Sequence, residues 1–395
     1  LIRAYLDNNA TTQLASEALA AMMPFLTEQY LNPSSAAGQF LGAYDVVPQA
    51  KRALARLLGD VELARQLTLT SGASEANSWA VAGVMANARN RRIVTTAIEH
   101  PSLLKAVTAQ ASKGAEVAYV SPNEAGWIEP ETLAATLTPE PAFVSVMAAN
   151  NETGVVQPIG LLANVLRDLA PEAILHVDAT QVIGRIPVDL TGEFAEVDLL
   201  SLSAHKFHGP KGVGALYIRD GLRLEPLIHG EQEDGRRGGT LNAAAAAGLA
   251  AAAEQAVQRL PLAGNIQALR DNFEWELALR LPQVRFNGSR ALRLPNTCSL
   301  TIPGYDADSI VERLAMRGVC LSTGSACRAG SLAPSHVLTA MGLSYDDAKA
   351  TLRVSLSAFT SMADLDLATM EIVAAVNAEE GPVGRSQHRK EDLNL

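Results

Sequence analysis

From about residue 60 to 255, short β-rich runs alternate with amphipathic or alanine-rich helical stretches, and this alternation constrains the fold more than any other feature of the chain. Candidate strands fall at 66–70, 92–96, 116–120, 143–148, 174–177, 199–201 and 214–218, with helices at 74–88, 101–113, 159–169 and 242–259. Strands alternating with helices predict a mostly parallel sheet covered on both faces. In such sheets the ligand lies beyond the carboxyl ends of the strands. The pattern changes after Leu260-Pro261-Leu262-Ala263-Gly264. Helices at 265–281, 307–317, 335–341 and 363–376 are separated there by strands at 298–302, 319–322 and 351–356, which predicts a smaller α+β unit. The expected division is a large α/β domain over 16–260, a small α+β domain formed by 1–15 with 261–378, and a polar tail over 379–395 with little to bury.

Composition narrows the function classes. Among 395 residues, 48% are hydrophobic and 19% charged, enough to build a large interior and too apolar for wholesale disorder. The net charge of −10 argues against nucleic acid or an anionic membrane as partner. The nearly all-alanine stretch 243–253 runs straight into Glu254 and is too weakly apolar to span a membrane, so it reads as a closely packed helix. The first ten residues carry Arg3 and Asp7 and read as strand then loop, not as a secretory signal. Three cysteines, Cys298, Cys320 and Cys327, form no Cys-x-x-Cys pair and no disulfide framework, which suits a reducing cytoplasm.

The chemistry concentrates at strand ends. Ser201-Leu-Ser203-Ala-His205-Lys206 sets a lysine just past an apolar strand, between a hydroxyl and an imidazole, and the rigid Gly209-Pro210 turn follows. Such a lysine can form a Schiff base with an aldehyde cofactor when its surroundings lower its pKa. Ile174-Leu-His-Val-Asp178-Ala-Thr-Gln181 is another apolar strand, ending in a carboxylate. An acid that keeps a pyridine nitrogen protonated and a lysine that carries an aldehyde are what pyridoxal phosphate needs. Either element alone is as readily two polar residues at the surface ends of strands; the pair is what carries the reading.

Five further segments carry candidate groups. Thr70-Ser71-Gly72-Ala73-Ser74-Glu75 is a strand, a glycine turn and a helix start, where free amides can bind a phosphate, although a Ser-x-x-Glu-like start is also an ordinary cap. Glu99-His100-Pro101 sets an imidazole before a proline-started helix, placed to stack on a ring and shuttle protons, or to serve as a structural hydrogen-bonding group. Asn150-Asn151-Glu152-Thr153-Gly154 offers two amides, or a tight turn. Gly235-Arg236-Arg237-Gly238-Gly239-Thr240 is a basic loop that could bring a hydroxyl to a phosphate. Finally, Gly324-Ser-Ala-Cys327-Arg328-Ala-Gly330 surrounds a cysteine with small residues and an arginine that favours its thiolate, whereas Cys298 and Cys320 sit in apolar strands.

These segments, with Asp7-Asn8-Asn9-Ala10-Thr11-Thr12, Asn32-Pro33-Ser34-Ser35, Pro334-Ser335-His336-Val337 and Arg353-Val-Ser-Leu356, resemble the cysteine desulfurases, and their wording is nearest to the NifS-like, nitrogen-fixation branch. The resemblance runs in order from residue 4 to about 375. It implies a fold-type I pyridoxal-phosphate-dependent transferase of the class V aminotransferase group. By the same resemblance, Lys206 would hold the cofactor, Asp178 its pyridine nitrogen and Gln181 its phenolic oxygen, with His100 stacked on the ring. Ala73, Ser74, Ser203 and His205 would bind the phosphate, and Thr240 would reach in from the partner of a homodimer. Asn151, which also borders the cofactor, and Arg353 would hold the carboxylate of the substrate L-cysteine. Cys327 would take its sulfur as a persulfide, releasing L-alanine, and pass it to an iron–sulfur scaffold protein for cluster assembly, that of nitrogenase in the nitrogen-fixation branch. Cys327 would also be a transient iron–sulfur ligand shared with that scaffold, and the only metal contact expected. The alternative within the group is an aminotransferase or a selenocysteine lyase. Three departures stand out: Ser74 replaces the threonine often found in the phosphate cup and keeps the hydroxyl, Ala36-Ala37-Gly38 lies where many relatives carry a histidine, and Arg328 replaces a small polar residue.

Overall fold

The computed structural model describes residues 1–42, 45–324 and 333–379. Its strands, in chain order, are β1 (Ala4–Tyr5), β2 (Leu67–Thr70), β3 (Arg92–Thr96), β4 (Glu116–Val120), β5 (Phe143–Met147), β6 (Ile174–Asp178), β7 (Leu199–Ser203), β8 (Gly214–Ile218), β9 (Arg285–Phe286), β10 (Thr297–Thr301), β11 (Val319–Cys320), β12 (Ser322–Thr323) and β13 (Thr351–Ser355). Seven of them form one sheet in the order β2-β8-β7-β6-β5-β3-β4. Only β8 runs against the rest, antiparallel to β7 and β2, while β7-β6-β5-β3-β4 pair in parallel. The fold is therefore α/β with a large, mostly parallel sheet.

The uninterrupted apolar runs have a simple cause: both faces of the sheet are covered. Alternate residues of one strand enter different cores, as the period of two requires. Val94, Val144, Leu175 and Leu200 face one core, shared with the helices Val46–Leu57, Ile159–Leu169 and Ala243–Arg259. Their neighbours Ile93, Phe143, Ile174 and Leu199 face the other, shared with Trp79 and Met85 of the helix Ala73–Asn87 and Leu103 and Val107 of the helix Pro101–Ala111. The alanine-rich helix packs closely, as its composition predicts. A Cβ on its Gly248 would lie 2.8 Å from the Met22 side chain on the helix Ser16–Thr27.

A separate core gathers Ala4 and Leu6 with Phe273, Leu277, Cys298, Leu300, Ile310, Leu314, Leu352, Val354, Leu365 and Ile372. It is built on the sheet β12-β13-β10-β9, on the parallel pair β1-β11 and on the helices Ala263–Arg280, Ala307–Met316 and Met362–Glu379. The stretch expected as one strand at 319–322 is two: β11 pairs with β1, then the chain breaks at Leu321 and β12 pairs with β13. A fourth cluster ties Ile98 and Met147, at the ends of β3 and β5, to Val337 and Leu338 of the helix His336–Ala340 and to Met341 directly after it. Among the described residues, no helix is long and apolar enough to cross a membrane.

Candidate active site

A cavity of about 460 Å³ opens at the carboxyl ends of the strands, lined by Asn9–Thr11, Ser71–Glu75, His100, Asn151, Asp178, Gln181, Ser203, His205, Lys206 and Arg353, among others. That volume suits one small-molecule ligand. Ten of the residues singled out in the sequence thus meet on one wall set, although they are spread over 281 positions, from Ala73 to Arg353.

Asp178 is the last residue of β6 and is 5% exposed. Its Oδ2 accepts from Asn77 Nδ2 at 2.8 Å and its Oδ1 from the Thr180 amide at 3.0 Å, so the carboxylate is clamped from two sides. Lys206 closes a single 3₁₀ turn directly after β7. Its Nζ donates to the carbonyls of Asn9 at 2.6 Å and Ala10 at 2.7 Å. The segment Asp7–Thr12 therefore forms the opposite bank of the cleft, and it is held there: Asn9 Nδ2 donates to Thr297 Oγ1 at 2.9 Å and to the Asn151 carbonyl at 3.1 Å.

The turn before the helix Ala73–Asn87 is built for an anion. Gly72 adopts φ +148°, a conformation that favours glycine, and among the described residues no side chain caps the helix that follows. The Glu75 carboxylate instead reaches back to the Ser71 amide at 2.7 Å and is gripped by Arg237 at 2.8 and 3.1 Å. The first helical amides are left on the cavity wall beside Ser74, Ser203 and His205. A Cβ at Gly214 would lie 2.8 Å from the Gly72 Cα, so β8 presses against the back of this turn.

Burial sets the charge states. His100 caps the helix Pro101–Ala111: its Nδ1 accepts from the Ser102 amide at 3.1 Å, which places the proton of the neutral ring on Nε2. Its pKa is lowered, first by burial, against the pull of Asp178. His205, whose Nδ1 meets Thr11 Oγ1 at 3.1 Å, is pushed down to about 4 by burial and by Lys206. Next to His100, the wholly buried Glu99 is raised to about 8 by burial and by Asp178. Its Oε1 accepts from Thr96 Oγ1 at 2.8 Å and from the Met147 amide at 2.7 Å. Arg353, 2% exposed on β13, donates to Asp7 Oδ1 at 2.7 Å and to the Asn151 carbonyl at 3.1 Å, while its Nε has no acceptor among the described residues. An incompletely satisfied buried guanidinium on the wall of a cavity is suited to a ligand carboxylate.

Two expected residues stand apart. Thr240 is exposed and does not line the cavity of its own chain. Cys327, with Arg328, lies outside the described residues. The two cysteines that are described are poor nucleophiles: burial raises the thiol of Cys298 far above its ordinary value and raises that of Cys320 as well. Among the described residues, no three His, Cys, Asp or Glu side chains group as a metal site would require. The sequence motifs assign no role to Asn77, Glu99, Arg185 or Asp7. Asn77 is a buried amide four residues into the helix, beside Ala76 and one turn before the buried Ala80 and Val81. The other three each also meet a partner far away in the chain: Glu99 the Met147 amide, Arg185 the Asn8 carbonyl and Asp7 the Arg353 guanidinium.

A lysine and a clamped carboxylate at adjacent strand ends, beside an uncapped helix start, define the kind of site that holds a phosphorylated aldehyde cofactor. The sequence profile of the class-V aminotransferases matches residues 4–367, and the chain belongs to this family. Its relatives within the family include cysteine desulfurases. One from Cereibacter sphaeroides is 42% identical over 370 residues, covering 92% of this chain and 93% of the relative. The cysteine desulfurase NifS of Azotobacter vinelandii is 39% identical over 373 residues, covering 93% and 91%. Among solved structures, a NifS-like protein superposes with a TM-score of 0.88 at 35% identity, covering 95% of this chain and all of that one. SspA, solved in complex with cysteine, superposes with a TM-score of 0.78 at 32% identity, covering 91% and 100%.

Proposed function

We propose that this chain is a pyridoxal 5′-phosphate-dependent cysteine desulfurase that converts L-cysteine to L-alanine and keeps the sulfur as a persulfide on Cys327. The observation that carries the reading is the single cavity that joins Lys206, Asp178, His100 and Arg353 at the carboxyl ends of the sheet. The residues fit the cofactor: Gly72 has no Cβ to fill the anion turn, the helix behind it is uncapped, and Asn77 and Thr180 hold Asp178 in one orientation. When bound, the cofactor supplies an electron sink that acidifies the substrate α-hydrogen and makes Cβ able to leave sulfur with the bonding electrons.

The chain supplies the rest. Asp178 keeps a proton on the pyridine nitrogen. Ala73, Ser74, Ser203 and His205 would take the phosphate, His205 as an imidazole whose pKa burial and Lys206 push down. Gln181 would meet the phenolic oxygen and His100 would lie against the ring, its Nε2–H available to donate. Arg353, with Asn151, would hold the substrate carboxylate and so orient the substrate about Cα. Lys206 secures the cofactor and then moves the α-proton. The Cys327 thiolate attacks the substrate sulfur: an S–S bond forms, the Cβ–S bond breaks, and its electron pair stays on Cβ, which is protonated on the way to alanine. The sum is cysteine plus enzyme thiol giving alanine plus enzyme persulfide, balanced without an external oxidant.

On the same reading the protein is a homodimer in which Thr240 completes the phosphate site of the second copy. Its large domain spans 16–260, its small domain 1–15 with 261–378, and it works in the cytoplasm. Its acceptor is an iron–sulfur scaffold protein, the nitrogenase system being the nearest family precedent, and Cys327 shares cluster iron with that scaffold in passing. Product analysis tests the central reading. Purified holoenzyme given cysteine and a thiol reductant should yield alanine and sulfide in equal amounts. A keto acid with no released sulfide would favour an aminotransferase instead.

A further inference from the structure

Arg185 lies four residues beyond Gln181, in the turn after β6, beside a pocket of about 40 Å³ behind the active-site cleft. Its guanidinium has no carboxylate partner among the described residues. It donates instead to backbone and amide oxygens: Nη1 to the Gln181 carbonyl at 3.0 Å and to the Gln181 side-chain Oε1, and Nη2 to the Asn8 carbonyl at 3.0 Å and the Lys206 carbonyl at 3.5 Å. On its other edge, Gln181 Nε2 donates to the Asn9 carbonyl at 3.1 Å. One side chain thus ties together the three segments that bear Gln181, Lys206 and the Asn8–Asn9 bank.

The chemistry of these partners fixes an orientation. A side-chain amide can ordinarily turn either its oxygen or its NH2 towards a ligand. A guanidinium has donors only, and a peptide carbonyl accepts only. With Arg185 on one edge and Asn9 on the other, the Gln181 oxygen must face Arg185 and its NH2 must face the cleft. Burial and Arg353 pull the Arg185 pKa down to about 9, still high enough for the group to stay charged at neutral pH.

We propose that Arg185 is a positioning residue that locks the Gln181 amide with its NH2 edge towards the cavity, making that wall a pure donor to the phenolic oxygen of the cofactor. The inference rests on the pyridoxal-phosphate reading above and deepens it. A donor at this oxygen stabilises its anionic form and weakens its hold on the proton it shares with the Lys206 nitrogen. The pH midpoint of the holoenzyme's visible band reports this directly, without turnover.

The test is a double-mutant cycle on that midpoint, using wild type, Arg185→Met, Gln181→Met and the double variant, each as holoenzyme without substrate. Arg185→Met should raise the midpoint by about one pH unit in the native background. It should raise it by less than about a third of that once Gln181 is already Met, the remainder being the lost charge. If Arg185→Met does not fold, Arg185→Gln replaces it, because a second amide no longer dictates which edge of Gln181 faces the cleft. No shift in the native background, or an equal shift in both backgrounds, would overturn the positioning role. Absence of any visible band from the wild-type protein would overturn the cofactor reading itself, and this inference with it.

Discussion

In and behind the cavity wall, burial shifts several ionisable residues towards their neutral forms. His176, buried between Ser145 Oγ at 2.8 Å and Ser201 Oγ at 2.9 Å, is pushed down to about 4 by burial, as His205 is. Glu99 is the acid counterpart, raised to about 8 by burial and by Asp178. Its folded-state pKa exceeds the unfolded value, so the stability that the protonated form contributes is present below about 4.5 and is lost as pH rises towards 8. Glu99→Gln should therefore gain on the wild type over that window, by at most about 1.4 kcal/mol per pH unit. Denaturant melts at pH 5, 6.5 and 8 read this; a stability difference constant with pH would contradict it. Asp178→Asn should keep the cofactor yet lose ~100-fold or more in turnover, because a neutral amide no longer stabilises the protonated pyridine. Steady-state kinetics decide, and near-wild-type turnover would count against the role. Residues whose meaning depends on one strand end, such as Asp178 and Lys206, were legible in the sequence. Asp7, Glu99 and Arg185 were not, since Asp7 meets Arg353 and Arg185 meets Asn8 only after the chain has folded.

At the scale of elements, each strand of the large sheet was legible to within two residues, because strands buried on both faces leave continuous apolar runs bounded by polar turns. The helices Ser16–Thr27 and Val46–Leu57 escaped the reading. Pro24 sits inside the first and Pro48 in the first turn of the second, and both look like breaks in a sequence scan. The second helix nevertheless carries a clear apolar face of Val47, Ala50, Leu54 and Leu57 against the sheet. The break at Leu321 was also hidden, because strand partners on two different sheets leave no local mark. The turn at Gly72 carries the prediction for this scale. Gly72→Ala would place a Cβ 3.3 Å from Ser203 Oγ on a backbone at φ +148°. We expect about 1–3 kcal/mol of destabilisation, together with faster loss of cofactor on dialysis. Thermal melts of apo and holo protein separate the two effects, and unchanged cofactor retention would contradict the anion turn.

For the whole molecule, the separation of Thr240 from its own chain's cavity fits a site completed by a second copy. Mixing Lys206→Ala chains with Thr240→Ala chains, after subunit exchange, should restore up to about a quarter of wild-type activity, since half the dimers would each carry one intact site. A fully active monomer in sedimentation would contradict the shared site. The division of labour in the molecule follows from its cores: the sheet fixes Lys206, Asp178 and His100, whereas Arg353 comes from the separate core around β10 and β13. Loss of the nucleophile should therefore leave the cofactor in place. The most direct measurement is mass spectrometry of the protein after one brief exposure to cysteine. The account predicts one added sulfur on the peptide that contains Cys327, persisting in Cys298→Ala and Cys320→Ala, with one alanine released and the visible band of Cys327→Ala intact. Sulfur carried on Cys320, or alanine formed at the normal rate by Cys327→Ala, would contradict it.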